Sequence, residues 1–314
     1  MYINGIGILL PGIETIGGLD KFLIGDKRLE GWKVQEPINI SHKLKNRRVD
    51  KFSRMALYCC QNALSIKDKT LSPYDIGTVF NSIYGPEESV IAFYKEIVEK
   101  EYEYCSPIVF SNTVFNSALG NVCLNYELKG YSDALMCGRY IEHARRLLSL
   151  DKIKGCLVCG LENICEEKRN ILKDEGKNVK EGAAALYLEK VKTKHTLARV
   201  VDCKSIYIET VVDNKKVILD TIYAFLNRNC VSESEIDYII CPNLYVEMLS
   251  KAIENSNIID IDEKFGDMLG ASLAVNIMVA LRMLKINNKS WAIGIDYDHT
   301  GNLTFYVLLN EVCK

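Results

Sequence analysis

Residues 264–284 read KFGDMLGASLAVNIMVALRML, a glycine-broken lead-in that gives way near Leu269 to a long apolar run with helical spacing. On its C-terminal side, WAIGIDY (291–297) and LTFYVLLNEV (303–312) read as strands around the turn DHTGN (298–302). On its N-terminal side, LARVVDCKSIYIET (197–210) reads as a strand, VILDTIYAFLNRN (217–229) as a helix and DYIICPN (237–243) as a buried strand. Earlier in the chain the alternation is the same. YINGIGILL (2–10) is a β-rich opening closed by Pro11 and Gly12, and VDKFSRMALYCCQNALS (49–65) places Phe52, Met55, Ala56, Cys59, Cys60 and Ala63 on one helical face. DIGTVFNSIYG (75–85) is a strand, PEESVIAFYKEIVEKEYE (86–103) a helix with an acidic first turn, and further helices are expected over 117–126 and 139–150. Strands then follow over 155–160 and 183–188, which makes this a mixed α/β protein.

The two parts of the chain end alike, each with strand, loop, strand: GCLVCGLEN then AAALYLEK, and SWAIGIDY then LTFYVLLNEV. A long, weak repeat of this kind predicts a duplicated α/β unit, with halves 1–190 and 191–314 packed as one compact body. The charged stretch CEEKRNILKDEGKNVKEG (165–182) is expected to be a solvated loop.

Composition narrows the function classes. The 314 residues carry 39 Lys+Arg against 41 Asp+Glu, a net charge of -2, with 48% hydrophobic residues, which excludes an intrinsically disordered chain. A balanced charge gives no footprint for nucleic acid or an anionic membrane, no run reaches the roughly 20 apolar residues of a bilayer span, and the first residues lack a basic segment ahead of their apolar ones. A cytoplasmic protein is expected. Its 12 cysteines then read as reduced, and Cys156 and Cys159, though spaced CxxC, fall in the strand-like GCLVCG. With four scattered histidines, no metal site and no cofactor are expected.

Five strings occur in a telling order: VDKFSRMALYCCQNAL, then VFSNTVFNSALGN (109–121) followed by LKG (128–130), EGAAALYLEK (181–190), KFGDMLGASLAVNIMVALRML, and DHTGNLTFYVLLNE (298–311). In these the chain resembles the β-ketoacyl synthases, the thiolase-fold condensing enzymes of fatty-acid and polyketide assembly. The resemblance runs almost the whole length, from INGIG at 3–7, and implies a thiolase-like fold, two βαβ halves in αβαβα layers. It also implies a dimer, either with an identical chain or with an active β-ketoacyl synthase, and an acyl carrier protein as a further partner. In that family a cysteine on a strand-to-helix elbow is the nucleophile, and two histidines, or a histidine and an asparagine, stabilise the thioester oxyanion.

None of those positions is filled as the resemblance requires. Counting from Gly130 brings the elbow to Gly138 or Arg139, neither of which can be a nucleophile, with Cys137 beside them. Pro242, followed by Asn243, stands where the first histidine belongs, and Asp267 where the second does. An ionised aspartate repels an oxyanion, and Asp267 also suits the N-cap of the helix that follows. Arg139, if buried, would need a carboxylate, for which Asp267 is the natural candidate. Among the histidines, His143 falls in the helix after the elbow, His195 at a strand start, His42 in a polar loop, and His299 in the turn that lines the family's active site. Arg145 and Arg146 read as solvent-facing, with carrier docking as the alternative. The small residues Gly120, 182–185 and 270–272 read as close-packing positions. The reading is a chain-length-factor-like or structural partner that does not condense. The alternative is an acyltransferase or thioester hydrolase with Cys137 as nucleophile and His299 or Asp267 as base.

Overall fold

Several strands of this chain have no solvent face. β4 (Gly155–Glu162), β5 (Gly182–Glu189) and β10 (Asn302–Leu309) are buried at every residue, because alternate side chains serve two different cores. In the computed structural model, which describes all residues except 36–39, 41–43, 46–47, 67–70, 100–103, 210–214, 254–255, 299 and 312–314, these strands belong to a ten-stranded arrangement. The others are β1 (Tyr2–Leu9), β2 (Ile76–Asn81), β3 (Ser132–Leu135), β6 (Ala198–Tyr207), β7 (Tyr238–Cys241), β8 (Asn257–Asp260) and β9 (Trp291–Tyr297). Their spatial order is β3-β2-β4-β5-β1-β6-β10-β9-β7-β8. Numbering the last five strands as a second set of five turns this into 3-2-4-5-1 followed by its mirror, the signature of a duplicated unit. The seam is narrow: β1 pairs along its length with β5 but meets β6 only at Tyr2 and Ile3.

Side-chain alternation explains the layers. Leu157, Cys159, Leu161, Ala183, Ala185 and Tyr187 face outward onto the helices Lys51–Leu64 and Ser117–Tyr126. Cys156, Val158, Ala184, Leu186 and Leu188 face inward onto the helices Tyr140–Ser149 and Ser272–Ile286. The second set does likewise: Tyr306 and Leu308 look into the same central layer, while Ile293, Ile295, Phe305 and Val307 face out onto Lys215–Arg228 and Asn243–Ala252. The result is the expected αβαβα stack, a thiolase-like fold. Cys156 and Cys159 lie on opposite faces of β4, so no single ion or disulfide can engage both.

The central helix Ser272–Ile286 is capped at its start by small residues that let backbones meet. A Cβ on Gly270 would lie 2.5 Å from Ser82 Cα and 2.9 Å from a Glu162 carboxylate oxygen, whereas one on Gly120 would meet nothing within 4 Å, so only the first is a close-packing glycine. Gly294 on β9 is needed because the Tyr306 ring occupies the place of its side chain, which lets the Tyr306 hydroxyl donate to Asn276 Oδ1 (2.5 Å) in the middle of the helix. The segment Leu269–Ile286 has the length and apolarity of a membrane span, and 72% of it is buried between the two sheets, which accounts for its composition.

The charged stretch after β4 is not a loop. Residues Glu166–Asp174 form a helix, started by Cys165 accepting from Lys168 N (3.3 Å), favoured by Glu166 and Glu167 in the first turn and anchored by buried Leu172. One apolar anchor in nine residues hides the helix from a periodicity reading. His42 lies outside the described residues.

Truncating a fully buried residue of the central helix, Ile277→Ala, is expected to lower the unfolding free energy by about 2–5 kcal/mol, because the cavity is walled by both sheets. Ile171→Ala, at a position 57% exposed, should change it by less than about 0.5 kcal/mol, both variants being compared with the parent by urea titration.

Candidate functional site

Three strand ends of the first set converge on the start of the central helix. Asn81, last in β2, accepts the Cys137 backbone N–H (3.0 Å) and donates its amide to Gly270 O (3.0 Å). Glu162, last in β4, accepts from Ser82 Oγ (2.9 Å), Ile83 N (2.8 Å), Tyr84 N (2.9 Å) and Gly270 N (3.1 Å). Burial pushes the Glu162 carboxyl up to about 7 against the pull of those four donors. Through Gly270 and Asn81 this buried acid fixes the turn that follows β3.

That turn is the strand-to-helix elbow. β3 ends at Leu135, Met136 is 57% exposed, Cys137 is half-buried, and Gly138 and Arg139 lead into the helix Tyr140–Ser149. The space over the elbow is occupied by Asp298. Its carboxylate accepts the Gly138 backbone N–H, and a Cβ on residue 138 would stand 2.9 Å from Asp298 Oδ2. The same carboxylate accepts from Thr300 N (2.8 Å), Thr300 Oγ1 (2.6 Å) and Asn302 N (3.0 Å), so the DHTGN turn folds around it and presents it to the helix N-terminus. Thr304 Oγ1 closes the contact by donating to Gly138 O (3.3 Å). His299, in this turn, lies outside the described residues.

Arg139 turns to the surface, where its Nε donates to Asn302 Oδ1 (2.7 Å), and no ion pair joins it to Asp267. The expected plug of these two residues is therefore not formed: Asn302 satisfies the guanidinium from the adjacent turn, and exposure removes its need for a carboxylate. Asp267 caps the lead-in to the central helix, its Oδ1 accepting from Leu269 N (2.8 Å). Pro242 precedes the helix Asn243–Ala252, and Asn243 is engaged locally, its amide bonded to Asp260 Oδ2 (2.5 Å) and its backbone N–H to Asp262 Oδ2 (3.0 Å). Pro242 and Asp267 do come together, on the wall of one cavity of about 330 Å³ whose other polar walls include Tyr245, Asp262 and Asp296.

The other histidines stay apart from these groups. His143 Nε2 is 3.4 Å from Asp133 Oδ2 beside β3, and His195 sits in the turn before β6, its N–H donating to Thr193 Oγ1 (3.2 Å). Arg145 pairs with buried Asp202 (2.6 Å), while Arg146 is exposed on the same helix and shares a cleft with Arg139 and His143. Among the described residues no three His, Cys, Asp or Glu side chains are grouped to hold a metal ion.

No protein-family model and no curated protein matches the sequence. Solved structures do. An ishigamide ketosynthase/chain length factor structure superposes with a TM-score of 0.81 over 98% of this chain and 99% of its own, at 15% identity. A β-ketoacyl synthase from Burkholderia phymatum STM815 gives 0.80 over 98% of each chain at 14% identity. The chain has the β-ketoacyl synthase fold. A third structure with this fold, a type II polyketide synthase acyl-carrier protein in complex with its ketosynthase bound to the hexaketide, gives 0.78 over 98% of each chain at 15% identity.

Asp298, Asp296, Glu162 and Asn81 escaped the reading of the sequence. One signal was present for Asp296: alternation in WAIGIDY puts Ile293 and Ile295 on one face and therefore Asp296 on the interior one. Because the folded Glu162 acid is held above the ordinary 4.5, its stabilising protonated form is fully present at low pH and lost as pH rises through about 7. Between pH 5 and 8 the unfolding free energy should fall by up to about 3 kcal/mol on this account, and E162Q should show a correspondingly smaller fall in urea titrations at the two pH values.

Proposed function

We propose that this protein works beside an active β-ketoacyl synthase in fatty-acid or polyketide-type assembly, as a chain-length-factor-like partner that does not itself condense acyl groups. The observation that carries the reading is the Asp298 carboxylate bonded to the Gly138 N–H at the elbow. Thioester chemistry needs backbone donors free to receive a developing oxyanion, and a fixed carboxylate on such a donor opposes that charge. Pro242 offers no donor, and the Asp267 carboxyl is bonded to its own helix lead-in. Likeness to a ketosynthase/chain length factor structure supports the same reading.

A partner is also supported by the surface beside the elbow. Among the described residues β3 is an edge strand, hydrogen-bonded only to β2, and Leu124 (52%), Tyr131 (42%) and Met136 (57%) are exposed around it. A second copy or a ketosynthase that adds a strand at β3 covers these side chains. The cleft of Arg139, His143 and Arg146 is the place for an acidic carrier protein to dock.

Two measurements test this. Light scattering of the chain, alone and co-expressed with a β-ketoacyl synthase from the same genome, should give a dimer mass rather than the 35.5 kDa monomer, and L124D/M136D should return it to the monomer. A monomer in both preparations removes the partner reading. In native iodoacetamide labelling at pH 7 followed by mass spectrometry, exposed Cys230 should react before Cys137. Selective, fast labelling of Cys137 would replace the proposal with the acyltransferase or thioester hydrolase reading.

A further inference from the structure

The cavity behind Pro242 and Asp267 is lined by two buried polar side chains with no hydrogen-bond partner among the described residues. The hydroxyl of Tyr245, a residue 2% exposed, has no hydrogen bond among the described residues. Asp296, 5% exposed on the inner face of β9, has no hydrogen bond or ion pair with any described residue either. Buried polar groups in folded proteins are almost always bonded, so an unbonded carboxyl and an unbonded phenol on residues that line one cavity mark a place where something else completes the bonding.

The surrounding charge narrows what that is. Asp262, from the helix Ile261–Phe265, and Asp267 add two more carboxylates to the wall, against Lys177 as the one cation among its described residues. Phe265, Met268 and Val275 make the remaining wall apolar. A cavity of about 330 Å³ falls at the small end of ligand pockets, and its sign of charge concentrates cations. We propose that this cavity binds a small organic ammonium ion, its nitrogen held by Asp296 and the Tyr245 hydroxyl and its hydrocarbon part packed on Phe265, Met268 and Val275. The site uses neither the elbow nor the β3 surface, so it stands apart from the partner role.

Binding is coupled to a proton. Burial, with Asp298, Asp267 and Asp262 nearby, holds the Asp296 acid well above the usual carboxylate range, which favours its protonated form. The other titratable groups around it are Tyr140 from the helix after the elbow, Tyr306 of β10 and Tyr245, all pushed up by burial and neutral. An ammonium ion favours the carboxylate, so the Asp296 proton leaves to solvent as the ligand enters.

Titration calorimetry of the whole chain at pH 7 with hexylammonium chloride, in phosphate and in Tris, tests this, with hexan-1-ol and hexanoate as controls of the same length. Hexylammonium should bind at least about 10-fold more tightly than either control, and the buffer dependence of the enthalpy should report release of about one proton. D296N should weaken binding about 10-fold or more and abolish the proton release. Y245F, which removes one oxygen from a side chain that stays buried, should weaken it about 3-fold or more and keeps the test readable if D296N does not fold. Binding of hexan-1-ol as tight as that of the amine, hexylammonium binding without proton release, or no binding, the cavity holding water only, would each overturn the proposal.

Discussion

The helix Ser272–Ile286 is the constraint on which the rest of the structure depends. Residues 273–281 are buried without a break, so all round that stretch the side chains must fit the layers packed on either side. The one fully buried polar side chain of the helix, Asn276, is bonded on both sides, donating to Ile295 O (2.9 Å) and accepting from Tyr306. These bonds hold the helix in one rotation against β9 and β10, and Gly294 exists so that the Tyr306 ring can reach it. The start of the helix then becomes a fixed point, and Glu162, Asn81 and Gly270 relay its position to the elbow after β3.

Fold and site were not equally legible in the sequence. The central helix, β4, β5, β9 and β10 were readable because long apolar patterns report burial, and the order of five motifs was enough to name the fold. The helix Glu166–Asp174 was not, since buried Leu172 is its one apolar anchor and its cap is a cysteine. The short strands β3 and β8, four residues each, carry too little pattern to register.

At the site, the resemblance pointed to Gly138, Arg139, Pro242 and Asp267 and not to what surrounds them. Pro242 and Asp267 could be read as unsuited to oxyanion stabilisation from residue type alone. That Asp298 bonds the Gly138 amide depends on a contact between residues 160 positions apart, set by how the β9–β10 turn folds onto the elbow. Arg139 shows the same limit: its expected partner was chosen by charge, and the structure gives it the amide oxygen of Asn302 instead.

The mirrored strand order leaves two edges, β3 and β8, at the two ends of that order, each only four residues long. So short an edge offers few main-chain hydrogen bonds, and main-chain bonds are indifferent to sequence. Under the proposed pairing at β3, discrimination between partners therefore falls on the side chains flanking the strand. A lineage could exchange one companion for another by changing a handful of surface residues while the layered interior stays as it is.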